Sequence, residues 1–215
     1  MKNSFALFAV LIIFLWLSHP VFSAQSQNTT LNNFFQRTQS LQADFDQTVV
    51  NGRGKVLEQS HGNLIISRPD KFILDYQTPV EQKYISNGKT IWIYDVELEQ
   101  VNIKPLDEQM GDSPALLLSS NDNIYKYYQV NNVSLRKSDG LNWVQLKALN
   151  DDMTFERVLL AFKNHILMRM WMYDSFGQTT ELKFSNIIVN NPYAADRFNF
   201  VPPVDVDIIG SVNVR

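Results

Sequence analysis

"SRPDKFILDYQTP", residues 67–79, decides how this chain folds. Arg68-Pro69 forms a stiff lead-in, and residues 71–77 then alternate with period 2. Phe72, Leu74 and Tyr76 point to one side, and Ile73, Asp75 and Gln77 to the other. That is the pattern of a half-buried strand. The stretches around it keep the same rhythm. Upstream lie "LQADFDQTVV" (41–50), which sets Leu41, Ala43 and Phe45 against Gln42, Asp44 and Asp46, and "KVLEQSHGNLIISR" (55–68). Between them Asn51-Gly52 is a hairpin-turn signal. Downstream, "QKYISNGKTIWIYDVELEQVNI" (82–103) carries a second such signal at Asn87-Gly88. After it Thr90, Trp92 and Tyr94 oppose Ile91 and Ile93.

Further strands are predicted at 125–136, 141–149, 155–163, 166–175 and 179–189. Asp139-Gly140, Lys163-Asn164 and Phe176-Gly177 supply turns. Strands at about 10-residue spacing are the all-β signature, and about ten or eleven antiparallel strands make one curved sheet or barrel. No linker, low-complexity tract or repeat divides the chain.

Residues 1–24 read as a secretory signal. Lys2 supplies the positive start, residues 5–17 (FALFAVLIIFLWL) the apolar run, and Ser23 and Ala24 the small residues at the cleavage site. The run is shorter than the about 20 residues a membrane span needs. Residues 25–215 then form one exported domain. The net charge of −3 becomes one unit more negative without Lys2, which disfavours nucleic acid as a partner. The chain has no cysteine, so an exported fold here rests on its core alone. A soluble monomer is expected.

Two segments are predicted to be helical. In 29–40, Leu31, Phe34, Phe35 and Thr38 form one stripe continued by Leu41. In 113–120, Asp112 or Ser113 caps Pro114 and an Ala115–Leu118 run. With 14 Phe, 8 Tyr and 4 Trp, the chain holds more apolar surface than a filled barrel needs. A sheet curling around these helices buries both, with core or cavity between.

The order of these strings matters: an amphipathic helix, "ADFDQTV" (43–49), "GNLIISRPDKFILDY" (62–76), "SNGKTIWIYD" (86–95), "SPALLLSS" (113–120) and a closing "FNFVPPVDVDII" (198–209). Together they resemble the LolA family of periplasmic lipoprotein carriers, over nearly the whole of residues 25–215. The resemblance implies a mainly β fold, an unclosed antiparallel barrel whose helical lid covers an apolar cavity for acyl chains. It implies acylated lipoproteins as cargo, an inner-membrane lipoprotein-releasing ABC transporter as donor and an outer-membrane receptor like LolB as acceptor. LolB is itself a lipoprotein, and a chain without cysteine does not match it. No cofactor is implied.

On its own, Arg68 reads as a solvated strand-end residue or a surface ion-pair partner. The resemblance gives it the role of a lid latch, donating to the carbonyls near Leu118 and Ser119. A guanidinium has five donors, and a helix C-terminus has orphan carbonyls of partial negative charge. By position, Phe35, Leu41, Phe72, Leu74, Tyr84, Leu116 and Leu117 fall on the family's cavity-facing sites, where the residues alone read as core.

Catalytic readings find little support. His61 and His165 have no metal-ligand spacing, Asp151-Asp152 and Asp205/Asp207 lie in turn-like stretches, and phosphate loop and nucleophile elbow are absent from the sequence. A sensory domain of the same fold, binding lipid or lipoprotein in envelope stress signalling, is the alternative. Such sensors usually carry an extra C-terminal domain, and the closing strand here is expected close to Arg215.

Overall fold

The computed structural model describes residues 29–106, 113–120, 124–135, 139–151 and 153–210. The expected signal segment (residues 1–24), Asp112 and Asp152 lie outside them. Helix α1 (Thr29–Arg37) leads into six strands: β1 (Ser40–Val50), β2 (Val56–Ser67), β3 (Lys71–Thr78), β4 (Gln82–Asn87), β5 (Thr90–Asp95) and β6 (Gln100–Pro105). Two short helices come next, α2 (Pro114–Ser119) and α3 (Ile124–Tyr127). The remaining strands are β7 (Tyr128–Val133), β8 (Asn142–Ala148), β9 (Phe155–Lys163), β10 (Ile166–Asp174), β11 (Thr179–Val189) and β12 (Asp207–Ile209).

All twelve strands form one sheet in the order β12-β6-β5-β4-β3-β2-β1-β11-β10-β9-β8-β7. Two meanders meet where β1 pairs antiparallel with β11, and β12 lies parallel against β6. The sheet ends at β12 and β7 without closing. It curls all the same. Residues on β3 and β7 stand seven neighbour spacings apart in this order, roughly 34 Å across a flat sheet at ~4.8 Å per strand. Yet Phe72, Leu74 and Val130 belong to one buried cluster with both α1 and α2. Only a sheet wrapped around its helices brings them together.

Three local details depart from the periodicity. The chain turns twice between 82 and 103, the second time at Val96–Glu99 with Glu99 at φ 50, so that this stretch holds three strands. Residues 124–127 are a helical turn rather than the start of a strand. Ile124 is buried there and Tyr125 donates to Asn32 Oδ1 of α1 at 2.6 Å, so tertiary contact overrides the β preference of the aromatic run. Helix α1 stops at Arg37, where the chain turns to begin β1.

The two faces of the sheet have different covers. The inner face carries Leu41, Ala43 and Phe45 of β1, Leu64 and Ile66 of β2, and Phe72 and Leu74 of β3, all buried against the helices. Phe45 lies opposite Gly62, where a Cβ would stand 2.8 Å from the Phe45 ring and 2.0 Å from the Asp75 carbonyl oxygen. Glycine there lets the ring cross β2 and meet Tyr76 edge-on at 5.2 Å. In β5, Ile91 and Ile93 face the core, while Trp92 and Tyr94 face outward and meet Phe200 at 6.4 and 5.7 Å. The segment after β11 is therefore a strap over the outer face. Its Tyr193 donates to Gln42 at 2.8 Å, its Phe198 is buried, and it ends as β12.

Candidate functional site

The turn between β2 and β3 places Arg68 beside the ends of two helices. Antiparallel pairing sets Ser67 opposite Ser40, and the Arg68 N–H donates to the Gln39 carbonyl at 2.9 Å. The side chain then bridges. Its Nη2 donates to the Leu118 carbonyl of α2 at 2.7 Å, and its Nη1 donates to the Thr38 carbonyl just past α1. The guanidinium also lies over the rings of Phe34 and Phe35, 4.7 and 4.9 Å from their centroids.

Helix α2 begins where Ser113 accepts the Leu116 N–H at 3.2 Å, with Pro114 in the first turn. At its other end the orphan carbonyls are all engaged. Leu116 accepts from the Ser120 N–H at 3.0 Å, Leu117 from the Ser120 hydroxyl at 3.0 Å, Leu118 from Arg68, and Ser119 from the Asp70 N–H at 3.0 Å. Arg68 thus takes Leu118, while the backbone of the same turn takes Ser119. Thr38 is the partner that sequence reasoning missed. Its place follows from register alone: α1 ends at Arg37, and β1 then begins at Ser40, opposite Ser67.

No carboxylate neutralises Arg68 among its described partners. Burial pulls its pKa down to about 10, so it remains charged at neutral pH. Its charge rests on carbonyls that carry the negative ends of helix dipoles and on two aromatic faces. Nε is buried without a partner. Such a contact gains about 1.5–3 kcal/mol per charged hydrogen bond and loses part of that to desolvation.

Beside Arg68, Phe35, Leu41, Phe72, Leu74, Leu116 and Leu117 are buried in one cluster, and Tyr84 packs half-buried at its edge. Phe72 and Leu74 are each 1% exposed. All six residues of α2 are buried, the polar Ser119 included, so this helix sits inside the curl. These side chains fill the space between sheet and helices. The crevice between α2 and α3, lined by Leu116, Leu117, Ile124, Tyr127 and Met153, measures about 20 Å³, room for about one water.

At the far end of the same hairpin the inner face opens into a pocket of about 490 Å³. Its walls include Gln47, Glu58, Ser60, Tyr76, Gln82 and Tyr84. Burial first, then the charges of Tyr84 and Glu58, hold the Tyr76 phenol above its ordinary range. Tyr84 is raised by burial, then by Asp95 and Glu58. Elsewhere, His61 meets Asp46 at 3.0 Å on the exposed outer face of β1 and β2, and His165 lies in the β9–β10 turn at φ 67. Asp205 and Asp207 are exposed near the end of the strap.

A family profile described as "Outer membrane lipoprotein carrier protein LolA" matches residues 36–201. The outer-membrane lipoprotein carrier protein of Dechloromonas aromatica is 37% identical over 180 residues, covering 84% of this chain and 86% of the relative. That of Chromobacterium violaceum is 37% identical over 209 residues, covering 97% and 98%. Among solved structures, an uncharacterized conserved protein from Thermus thermophilus shares the fold with a TM-score of 0.55. It is 13% identical, and the match covers 84% of this chain and 96% of that one.

Proposed function

The chain belongs to the LolA family, and from that premise we propose that it is a periplasmic chaperone for lipoproteins. It takes the acyl chains of its cargo beneath α2 and carries them from an inner-membrane lipoprotein-releasing ABC transporter to an outer-membrane receptor like LolB. Between the two it acts as a carrier and not as an enzyme. The observation that carries this reading is a buried apolar layer roofed by a short helix whose end is held by Arg68. That charge has two carbonyl partners and no counter-ion among the described residues.

The energetics suit a carrier. An acyl chain of about 16 carbons gains on the order of 10 kcal/mol on leaving water, at ~0.8 kcal/mol per CH₂. A site that kept all of that energy would not release its cargo. In the closed state Phe72, Leu74, Leu116 and Leu117 satisfy one another, and Arg68 satisfies the helix ends. Acyl chains must displace α2 to enter, which breaks those contacts and offsets part of the binding energy. The receptor then needs only a modest advantage in lipid affinity, because closure contributes to release.

The test is release from spheroplasts. Purified protein, incubated with spheroplasts making lipoproteins, is expected to bring acylated lipoproteins into the supernatant. Retention of every lipoprotein on the membrane, with the protein folded and in excess, would count against a carrier.

A further inference from the structure

Every wall residue named for the pocket at the far end of the hairpin projects from the inner face of the sheet. Gln47 pairs with Ser60, Tyr76 with Gly62 and Gln82, and Tyr84 with Leu74, the same side on which Phe72 and Leu74 are buried. The pocket is therefore the outward continuation of the apolar layer. Three rings separate the two. Phe45 meets Tyr76 at 5.2 Å, and Tyr76 meets Tyr84 at 6.1 Å.

Both tyrosines have their bodies against the core and their hydroxyls in the polar wall. Tyr76 Oη donates to Gln47 Oε1 at 3.0 Å and Tyr84 Oη to Gln82 Oε1 at 2.9 Å. Polarity thus changes within the width of one ring. On the polar side stands the Glu58 carboxylate, accepting from the Ser60 hydroxyl at 2.7 Å. Asp95 lies near enough to act on Tyr84. None of the described lining residues is a lysine, arginine or histidine.

We infer that this pocket is a head-group subsite for the uncharged, ester- and amide-bearing junction between acyl chains and peptide, and that Glu58 turns away amphiphiles with an anionic head. The inference rests on the carrier reading and deepens it. Apolar burial alone does not distinguish a lipoprotein from any other lipid with the same chains. Selection needs a term that differs between them, and a fixed negative charge where the head group sits is such a term. The volume of about 490 Å³ lies in the ordinary range for a small-molecule site. Glutamine amides and tyrosine hydroxyls match esters and amides as partners.

The experiment compares two probes with one acyl chain, monopalmitoylglycerol and its phosphate monoester, binding to the wild type and to Glu58→Gln. Glu58 is exposed on its strand, so the substitution leaves the core untouched. The wild type is expected to prefer the neutral probe by about three- to tenfold at low salt, the scale of a solvent-screened charge pair. In Glu58→Gln the preference should shrink to within about twofold. A photoreactive group on the neutral head should label peptides from β1, β2, β3 or β4. An unchanged preference in the variant, or label confined to other peptides, overturns the subsite while leaving the carrier reading intact. Failure of both probes to bind either protein overturns the carrier reading itself.

Discussion

The two ends of the β2–β3 hairpin differ in almost every respect. From Ser60 to Ser67 the strand runs seven residues, roughly 23 Å at ~3.3 Å each. At the Ser67 end the inner face is dry, roofed by α2, and held by a buried charge bonded to two helix ends. At the Ser60 end it opens on a polar pocket with no helix over it among the described residues. One end has apolar content and a polar fastening, and the other has polar walls over an aromatic floor. On the carrier proposal, the contacts that opening must break lie at one end and the open space lies at the other. On that proposal an amphiphile would meet the open end before the end held by Arg68 parts.

The sharpest way to break this contrast is to empty the dry end. Phe72→Ala removes a 1%-exposed ring from the latched region and is expected to cost about 3–5 kcal/mol of unfolding free energy. Tyr84→Ala, at the half-buried boundary, should cost well under half as much. Urea unfolding of both variants measures the difference, and equal losses would mean that the two ends are packed alike.

Next comes the fastening. Arg68→Leu leaves the Leu118 and Thr38 carbonyls without their donor, and the closed state should lose about 1.5–3 kcal/mol. That shifts the lid toward open by about tenfold to more than a hundredfold. Uptake of acylated cargo should survive and hand-over to the receptor should slow, because closure no longer drives release. Arg68→Lys should rescue in part, since one ammonium does not span two carbonyls as a fork does. A two-step transfer assay at matched folding stability reads both effects. Wild-type rates in both steps would reduce Arg68 to a structural arginine.

The smallest effect is alkaline, and it has opposite signs at the two ends. The Tyr76 phenol is raised above its ordinary 10.0 by burial, so the unfolded chain loses that proton first. Its contribution to stability is complete below pH 10 and falls as pH rises beyond it. Arg68 is lowered from 12.5 to about 10, so its contribution grows as pH climbs through that interval. Between about pH 10 and 11 the fall in Tm should be shallower in Tyr76→Phe and steeper in Arg68→Leu than in the wild type. Parallel Tm profiles would show that neither group sits in the environment described.

Much of this architecture was legible in the residues alone. Alternation in Leu41, Ala43 and Phe45 marked the inner face of β1, and Asn87-Gly88 marked the β4–β5 turn. Ser113-Pro114 opened α2, whereas the bond from Arg68 to α2's end was expected from the family resemblance and not from the residues alone. What stayed hidden depends on register between distant strands. Thr38 became a partner of Arg68 only once Ser40 was known to lie opposite Ser67. The strap could not be read because Phe200 meets Trp92 and Tyr94, about a hundred residues earlier, with no local pattern to announce it. The polar pocket stayed hidden too, since its walls come from four strands and Gln47, Glu58, Ser60 and Gln82 each look like solvated strand residues when read alone.

The most direct test of an acyl site beneath α2 is a photo-crosslinking amino acid in place of Leu74. That side chain is 1% exposed and lies between the latch and the aromatic floor. The acylated client should be captured and the same client without its acyl chains should not. Light-dependent capture of both forms to the same extent would contradict a site that opens for acyl chains.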